Sequence, residues 1–326
     1  MHRLEQTELN WVLPDPILKN DLPSLDFPEA LKAVLARRGI VNNKQLKNFI
    51  LPPELPNPED HFPDLNKAVK RIITAINNAE KIAICGDYDA DGMTSTALLF
   101  DTFRSLDANV ITSIPDRIKE GYGLNSDTID ILHNESVDLI ITVDNGISAT
   151  DAINKCNQYS IDLIVSDHHK IPNNIPNIFA LIHPERTPNN SPYRCLAGVG
   201  IAFIIISTLS KKISNNSFIR RSLDLFCIGT IADMSSMKGA NRKLLKDSLP
   251  HLHKTSCLGL KEIIKSSGIN YPKITSEDIG FKIAPMINAI GRIDNPSIII
   301  DLLTEQNNDN AREIAIYCDN INKKRK

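Results

Sequence analysis

Residues 81–100 read KIAICGDYDADGMTSTALLF, which places three aspartates within five positions, between an apolar run and a glycine. The order D-x-D-x-D-G also begins an EF-hand calcium loop. Counted from Asp87 as position one, however, position twelve is Leu98 and not the bidentate acid that calcium requires. The β-branched run KIAIC is also typical of a strand, whereas an EF-hand needs a helix there. The stretch therefore predicts a buried strand, an acidic turn and a helix.

The same alternation of apolar runs and amphipathic helical segments continues outward from this stretch, starting at Asp64. Strands are predicted at KIAIC (81–85), NVITSI (109–114), VDLIITV (137–143) and IDLIVS (161–166), with helical patterns between them. Apolar strands separated by helices are typical of a parallel sheet that is covered on both faces. The sequence predicts an α/β fold of this kind.

Composition narrows the class of protein. The chain has 326 residues, 42% hydrophobic and 23% charged, and a net charge of -2, so no overall basic field attracts nucleic acid. Its six cysteines form no C-x-x-C pair, which is typical of reduced thiols. The N-terminal residues include no apolar signal region, and no segment is long enough to span a bilayer. We expect a cytoplasmic protein without a membrane partner.

Acidic and imidazole side chains follow three of the predicted strands. They are Asp87, Asp89 and Asp91 after the first, Asp144 after the third, and Asp167, His168 and His169 after the fourth. The carboxyl ends of parallel strands share one edge of the sheet, so these groups are expected to converge there. Carboxylates that close repel one another, and divalent cations relieve the repulsion. Oxygen ligands with some histidine favour Mn²⁺ or Mg²⁺, and a pair of metals is typical of phosphoester hydrolysis.

Each of these residues also has an ordinary structural interpretation. Asp144 alone would be a turn former before Asn145-Gly146, and the two histidines alone could be surface residues. Asp167 could orient a neighbouring imidazole without touching metal. His183 either lines the site or forms a turn before a proline. Three acid-bearing strand ends in succession are hard to explain by solvation, so we favour the metal site.

The motifs GDYDADG, TVDNGI and SDHH resemble the signatures of the DHH phosphoesterases. Longer strings, among them IPDRIKEGYGLN, LAGVGIAF and IAPMINAIGR, resemble segments of the RecJ family of single-strand-specific exonucleases, in the same order. The resemblance implies 5′→3′ digestion of single-stranded DNA in DNA repair and recombination. It also implies a single-strand-binding protein or a helicase as further partners.

The resemblance assigns roles to individual residues. Those expected to hold metal are Asp89, Asp91, Asp144, His168 and Asp233, with Asp87 supporting them. Catalysis would involve Asp89, Asp91, His168 and His169, and His169 would contact the scissile phosphate. Arg117, Asn288, Gly291 and Arg292 would bind phosphates of the DNA. Asp233 is implied by the resemblance alone, because it follows no predicted strand.

A domain division is also predicted. The sequence pattern predicts a proline-rich segment with one helix, PEALKAVLARRGI (28–40), over 1–62, and a change to mainly helical patterns near residue 240. With the resemblance, this gives a DHH domain over 63–240, linking helices over 241–272, and the incomplete beginning of a second, substrate-binding α/β domain over 273–326. Two local departures accompany it: Ile290 replaces a smaller residue of the family motif, and Ser235 and Ser236 replace a Pro-Leu pair.

Two alternative functions are left open. The first is a DHH phosphoesterase of short oligonucleotides or cyclic dinucleotides. The second is a truncated remnant without catalysis, whose incomplete second domain would expose an apolar face around PSIIIDLL (296–303).

Overall fold

The computed structural model describes residues 15, 17, 22–115, 123–269 and 272–325. The chain forms two compact units, Met1–Pro53 and Glu54–Lys326. The first contains helices α1 (Glu29–Arg37) and α2 (Asn43–Ile50) and a small core of Leu25, Leu35 and Ile40. Only α1 was predicted. Helix α2 begins at a polar cap, since the side chain of Asn42 accepts a hydrogen bond from the Gln45 N–H.

The second unit is built on a five-stranded sheet in the order β2-β1-β3-β4-β5, and every neighbouring pair is parallel. The strands are β1 (Ile82–Cys85), β2 (Val110–Ser113), β3 (Leu139–Val143), β4 (Asp162–Ser166) and β5 (Ala180–Ile182). The four predicted strands and the α/β class are confirmed. Strand β5 was missed, because three residues carry too little pattern to identify a strand.

Helices connect and follow the strands. Their bounds are α3 (Leu65–Asn77), α4 (Ala90–Arg104), α5 (Ser126–Asn134), α6 (Thr150–Tyr159), α7 (Gly198–Ile213), α8 (Ile219–Ala232), α9 (Gly239–Ser248), α10 (Leu258–Ser266), α11 (Ser276–Asp278), α12 (Ala284–Ile293), α13 (Ser297–Thr304) and α14 (Asn308–Arg325). A π-helical segment, Ile279–Ile283, joins α11 to α12. Within the described ranges, no helix has both the length and the apolarity that crossing a membrane requires.

The sheet is covered on both faces, because alternate residues of each strand point to opposite sides. On β1, Ile82 and Ile84 join a large core with α3, α4 and α7, whereas Ala83 and Cys85 join a smaller core with α5 and α6. All four residues are buried, as expected of a central parallel strand. This arrangement leaves the carboxyl ends of the strands as the edge where polar groups gather.

The helices from α8 to α14 extend the larger core. Residues of α10, α12, α13 and α14 belong to the same cluster as the strands. The apolar face expected to be exposed around 296–303 is instead buried: Ile299, Ile300, Leu302 and Leu303 are at most 2% exposed. That expectation was wrong, because α13 packs against α4 and α10. The domain boundaries near 240 and 272 stay a prediction.

Candidate metal centre

The acidic turn after β1 is folded tightly onto the helix that follows it. Asp89 caps α4, and its Oδ1 accepts a hydrogen bond from the Gly92 N–H at 2.9 Å. A Cβ on Gly86 would lie 2.0 Å from Thr96 Oγ1, and one on Gly92 would lie 2.6 Å from Asp87 Cβ. The turn therefore needs glycine at both positions in order to bring its three carboxylates together.

Asp144 directly follows β3 and adopts a left-handed backbone conformation, with φ of 62°. This conformation is unfavourable for a residue with a side chain, and such residues concentrate at functional sites. The backbone is held in place, because the Asp144 N–H donates to Ser166 O at 2.9 Å. A Cβ on Gly198, at the start of α7, would lie only 2.5 Å from Asp144 Cβ, so this position needs glycine. The residue is 2% exposed.

His168, which follows β4, brings the carboxylates of three elements together. Its Nε2 lies 2.9 Å from Asp144 Oδ1, 3.9 Å from Asp91 Oδ2 and 4.0 Å from Asp233 Oδ1. Burial lowers the pKa of His168 and outweighs the opposing effect of Asp233. A neutral imidazole is the form that binds a metal ion.

Asp167 holds Ile147 and His169 by hydrogen bonds, and it is not one of the residues whose donor atoms cluster as candidate metal ligands. Its Oδ2 accepts the Ile147 N–H at 2.9 Å, and its Oδ1 lies 2.8 Å from His169 Nδ1. Burial raises the pKa of Asp167, but the hydrogen bonds from His169 and Ile147 outweigh burial and hold this pKa below its usual range. The hydrogen bond between the side chains of Asp167 and His169 also raises the pKa of His169. Asp167 therefore orients a neighbouring imidazole, that of His169, as the sequence suggested.

The donor atoms form three overlapping sets, and within each set they lie within 4.8 Å of one another. The sets are Asp87, Asp89 and Asp144; Asp144, His168 and His169; and Asp91, His168 and Asp233. Asp144 and His168 each belong to two sets, so neighbouring cation positions would share ligands. The structure therefore brings together all seven of the predicted metal or catalytic residues.

The charges of this cluster are unbalanced. Burial, followed by repulsion from Asp89, raises the pKa of Asp87 to about 7. Burial and neighbouring carboxylates also raise the pKa of Asp91 and of Asp144 well above the usual range. In the described part of the chain, no lysine or arginine pairs with Asp87, Asp89 or Asp91, and the buried Asp87 Oδ1 accepts no hydrogen bond. Hard oxygen donors with imidazole and an excess of negative charge fit divalent cations such as Mn²⁺ or Mg²⁺.

Asp91 also has a structural role that the sequence did not indicate. Helix α7 has no cap of its own, and the Gly198 and Val199 N–H groups donate to the two oxygens of Asp91 at 2.7 and 2.8 Å. Asp91 thus ties the first turn of α4 to the first turn of α7. A negative charge at a helix N-terminus is favourable.

Asp233 reaches the cluster because α8 crosses α4 closely. A Cβ on Gly229 of α8 would lie 2.4 Å from Thr94 Oγ1 of α4. Asp233 follows α8 directly, and its Oδ2 accepts a hydrogen bond from Ser235 Oγ at 2.5 Å. Ser235, one of the two departures from the family pattern, therefore holds this carboxylate in place. The position of Asp233 at the end of a glycine-containing buried helix was the available signal in the sequence.

Helix α12 docks on the acidic turn. The Ala90 N–H donates to Asn288 Oδ1 at 2.7 Å, and a Cβ on Gly291 would lie 1.7 Å from the Tyr88 carbonyl oxygen. Both residues are thus positioned to support the turn, and their expected contact with DNA stays a prediction. Arg292 is exposed and forms no ion pair with any described residue, and Arg117 lies outside the described residues. Ile290 is fully buried, so its larger side chain is accommodated in the core.

Comparison with known proteins gives consistent matches. Residues 81–230 match the DHH family, N-terminal domain. The chain is 39% identical over 98% of its length to the single-stranded-DNA-specific exonuclease RecJ of Bacillus subtilis (strain 168), covering 40% of that protein. It is 32% identical over 94% of its length to RecJ of Escherichia coli (strain K12), covering 54%. The chain thus spans about half the length of these curated relatives, or less.

Solved structures agree with this comparison. A crystal structure of exonuclease RecJ bound to manganese superposes with a TM-score of 0.75 at 30% identity, covering 81% of this chain and 66% of that one. RecJ from Thermus thermophilus in complex with Mn²⁺ superposes with a TM-score of 0.76 at 26% identity, covering 91% and 42%. Motifs, fold and site geometry thus agree with the family match, and residues 81–230 form a domain of the DHH family.

Proposed function

We propose that this chain is a metal-dependent phosphodiesterase that removes nucleotides from the 5′ end of single-stranded DNA, in DNA repair and recombination. The observation that carries the proposal is the sharing of Asp144 and His168 between neighbouring donor sets at the carboxyl edge of the sheet. Two cations a few ångströms apart, as in two-metal phosphoesterases, would use shared ligands of this kind. The choice of substrate is supported by the names of the relatives.

The residues that would hold Mn²⁺ or Mg²⁺ are Asp87, Asp89, Asp91, Asp144, His168 and Asp233. The ions, when bound, would lower the pKa of a water molecule and neutralise charge on the scissile phosphate. The protein supplies the rest of the site. Asp91 and Asp144 are held by backbone hydrogen bonds, so they need little rearrangement to accept the ions.

His169 is suited to contact the phosphate. Its side chain is 47% exposed, and Asp167 holds its Nδ1. Because that hydrogen bond raises the pKa of His169, the imidazole carries a positive charge over a wider pH range than an ordinary histidine. A positively charged imidazole beside a phosphate oxygen stabilises the negative charge that develops in the transition state.

Further contacts with DNA would come from Arg117 and Arg292, whose guanidinium groups bind phosphate in bidentate fashion. Asn288 and Gly291 would act on the substrate through the turn that they support. A single-strand-binding protein or a helicase as partner, a cytoplasmic location and the domain boundaries given above belong to the same proposal.

The test is digestion of 5′- and 3′-labelled single-stranded DNA by the purified chain with Mn²⁺, beside a dinucleotide substrate. Asp89→Asn removes a ligand charge but keeps a residue that caps helices well, so the helix is preserved. Asp309→Asn, an exposed aspartate of α14, is the matched control. We expect the wild-type chain and Asp309→Asn to release nucleotides from the 5′ end at similar rates. The rate of Asp89→Asn should be at least about 100-fold lower. Release from the 3′ end, or hydrolysis of the dinucleotide alone, would contradict the proposed substrate.

A further inference from the structure

A fourth strand end contributes to this edge of the sheet. His183 directly follows β5, which pairs with β4, and its side chain is completely buried. It belongs to none of the three donor sets. A buried imidazole needs hydrogen-bond partners, and those of His183 show its role.

Both ring nitrogens of His183 have a partner. The Nδ1 lies 3.1 Å from the Glu185 backbone nitrogen, and the Nε2 lies 2.7 Å from the carbonyl oxygen of His169. A backbone N–H can only donate and a carbonyl oxygen can only accept. The imidazole is therefore neutral with its proton on Nε2, which agrees with the lowering of its pKa by burial.

His169 is consequently held at three of its atoms. Asp167 Oδ1 accepts from the His169 N–H at 3.0 Å and lies 2.8 Å from the ring Nδ1, and His183 binds the carbonyl oxygen. The two restraints on the backbone prevent the residue from shifting along the chain, and the ring contact sets its orientation. Partners of this kind commonly determine how well a catalytic side chain works.

We propose that His183 is a positioning residue, which fixes His169 through its carbonyl oxygen for contact with the scissile phosphate. This inference rests on the proposed function, since it assigns His169 a role in phosphodiester cleavage. The competing explanation is that His183 only caps the short helical turn at Pro184–Arg186, through the Glu185 N–H. The two hydrogen bonds use different nitrogens, so they can be separated.

Two substitutions separate them. In His183→Gln, the amide nitrogen takes the place of Nε2 and keeps the donor to His169, while the contact with Glu185 is lost. In His183→Asn, the amide oxygen takes the place of Nδ1 and keeps the cap, while the donor to His169 is lost. The variants are compared by kcat and KM for DNA cleavage with Mn²⁺, and by thermal unfolding.

We expect His183→Asn to lower kcat by about 10- to 100-fold with little change of KM, and His183→Gln to keep kcat within about threefold. The reverse order, or equal values for the two variants, would overturn the proposal. A second measurement needs no activity: nuclear magnetic resonance of ¹⁵N-histidine in the wild-type chain should show His183 as the Nε2–H tautomer. An Nδ1–H tautomer would overturn the proposal even in an active enzyme, whereas a wild-type chain without activity but with the expected tautomer would contradict the proposed function instead.

Discussion

At the scale of the residue, Asp144 combines strain and burial with a central position in the cluster. A left-handed backbone and the burial of a carboxylate, with 2% of the residue exposed, both cost free energy of folding. A functional role explains why this cost is tolerated, since Asp144 belongs to two donor sets. Asp233 differs, because it belongs to one set and is more exposed, with 23% of its side chain accessible. The two residues should therefore respond differently to the same substitution.

Asp144 belongs to two donor sets and Asp233 to one. We therefore predict that Asp144→Asn weakens the binding of two Mn²⁺ ions, whereas Asp233→Asn weakens the binding of one. Loss of an indirect partner typically lowers metal affinity about 10- to 100-fold, so loss of a ligand charge should lower it at least as much. Isothermal titration calorimetry with Mn²⁺ measures affinity and stoichiometry, with Asp309→Asn as the control. Equal loss in the two variants would argue against sharing of Asp144.

Asp224, outside the metal centre, makes stability depend on pH. It is completely buried in α8, and burial raises its pKa to about 6, although Arg220 lies 2.8 Å away and opposes the shift. The folded chain therefore binds this proton more tightly than the unfolded chain does. The resulting stabilisation is complete below the ordinary pKa of 3.8 and is lost as the pH rises to about 6.

Asp224→Asn does not titrate, so the two chains should diverge with pH. Between pH 4 and pH 7 we expect the wild-type chain to lose roughly 2–3 kcal/mol of unfolding free energy relative to the variant. Urea unfolding of both chains at several pH values in this range gives the difference. A difference that is constant with pH would show that the carboxyl is ionised throughout.

At the scale of the element, helix α4 organises the centre. Asp89 caps it, its first turn carries Asp91, and α8 and α12 approach it or the preceding turn at Gly229 and Gly291. The Gly198 N–H of α7 donates to Asp91. Close approach is what allows carboxylates from separate helices to meet. A side chain at one of these glycines should therefore affect both folding and metal binding.

Gly291→Ala tests this packing, because its Cβ would lie 1.7 Å from the Tyr88 carbonyl oxygen, between two ligands of the turn. We expect a loss of about 1–3 kcal/mol of stability and weaker Mn²⁺ binding. Gly280→Ala, in the preceding π-helical segment, has no heavy atom within 4 Å of the new Cβ and serves as control. Thermal unfolding with and without Mn²⁺ distinguishes the two, and an equal response would contradict the packing argument.

At the scale of the whole molecule, the second unit contains the sheet, the metal centre and helix α12. Its larger core is continuous from α3 to α14, so the strands of the sheet and the C-terminal helices share the same buried cluster. A continuous core favours cooperative unfolding.

We predict that residues 54–326, produced alone, fold, bind Mn²⁺ as the full chain does, and unfold in a single transition in urea. The full chain is the reference for both measurements. Two separate transitions, one for the sheet and one for the C-terminal helices, would show that the core is divided near residue 240.

The α/β class, four of the five described strands and the convergence of six residues of the candidate metal centre could be predicted from the sequence. These features are local: strand and helix periodicities are visible within a short window, and Asp87, Asp144 and His168 follow strands that the pattern identifies. Parallel strands then bring their ends to one edge without further information.

Features that depend on contacts between residues far apart in the chain could not be predicted from local patterns. Asp91 caps a helix 107 residues away, and Asn288 binds a backbone N–H 198 residues away. Asp233 and His183 reach the site through a helix crossing and a three-residue strand. Such contacts depend on how helices pack at glycines, and no local spacing encodes that packing.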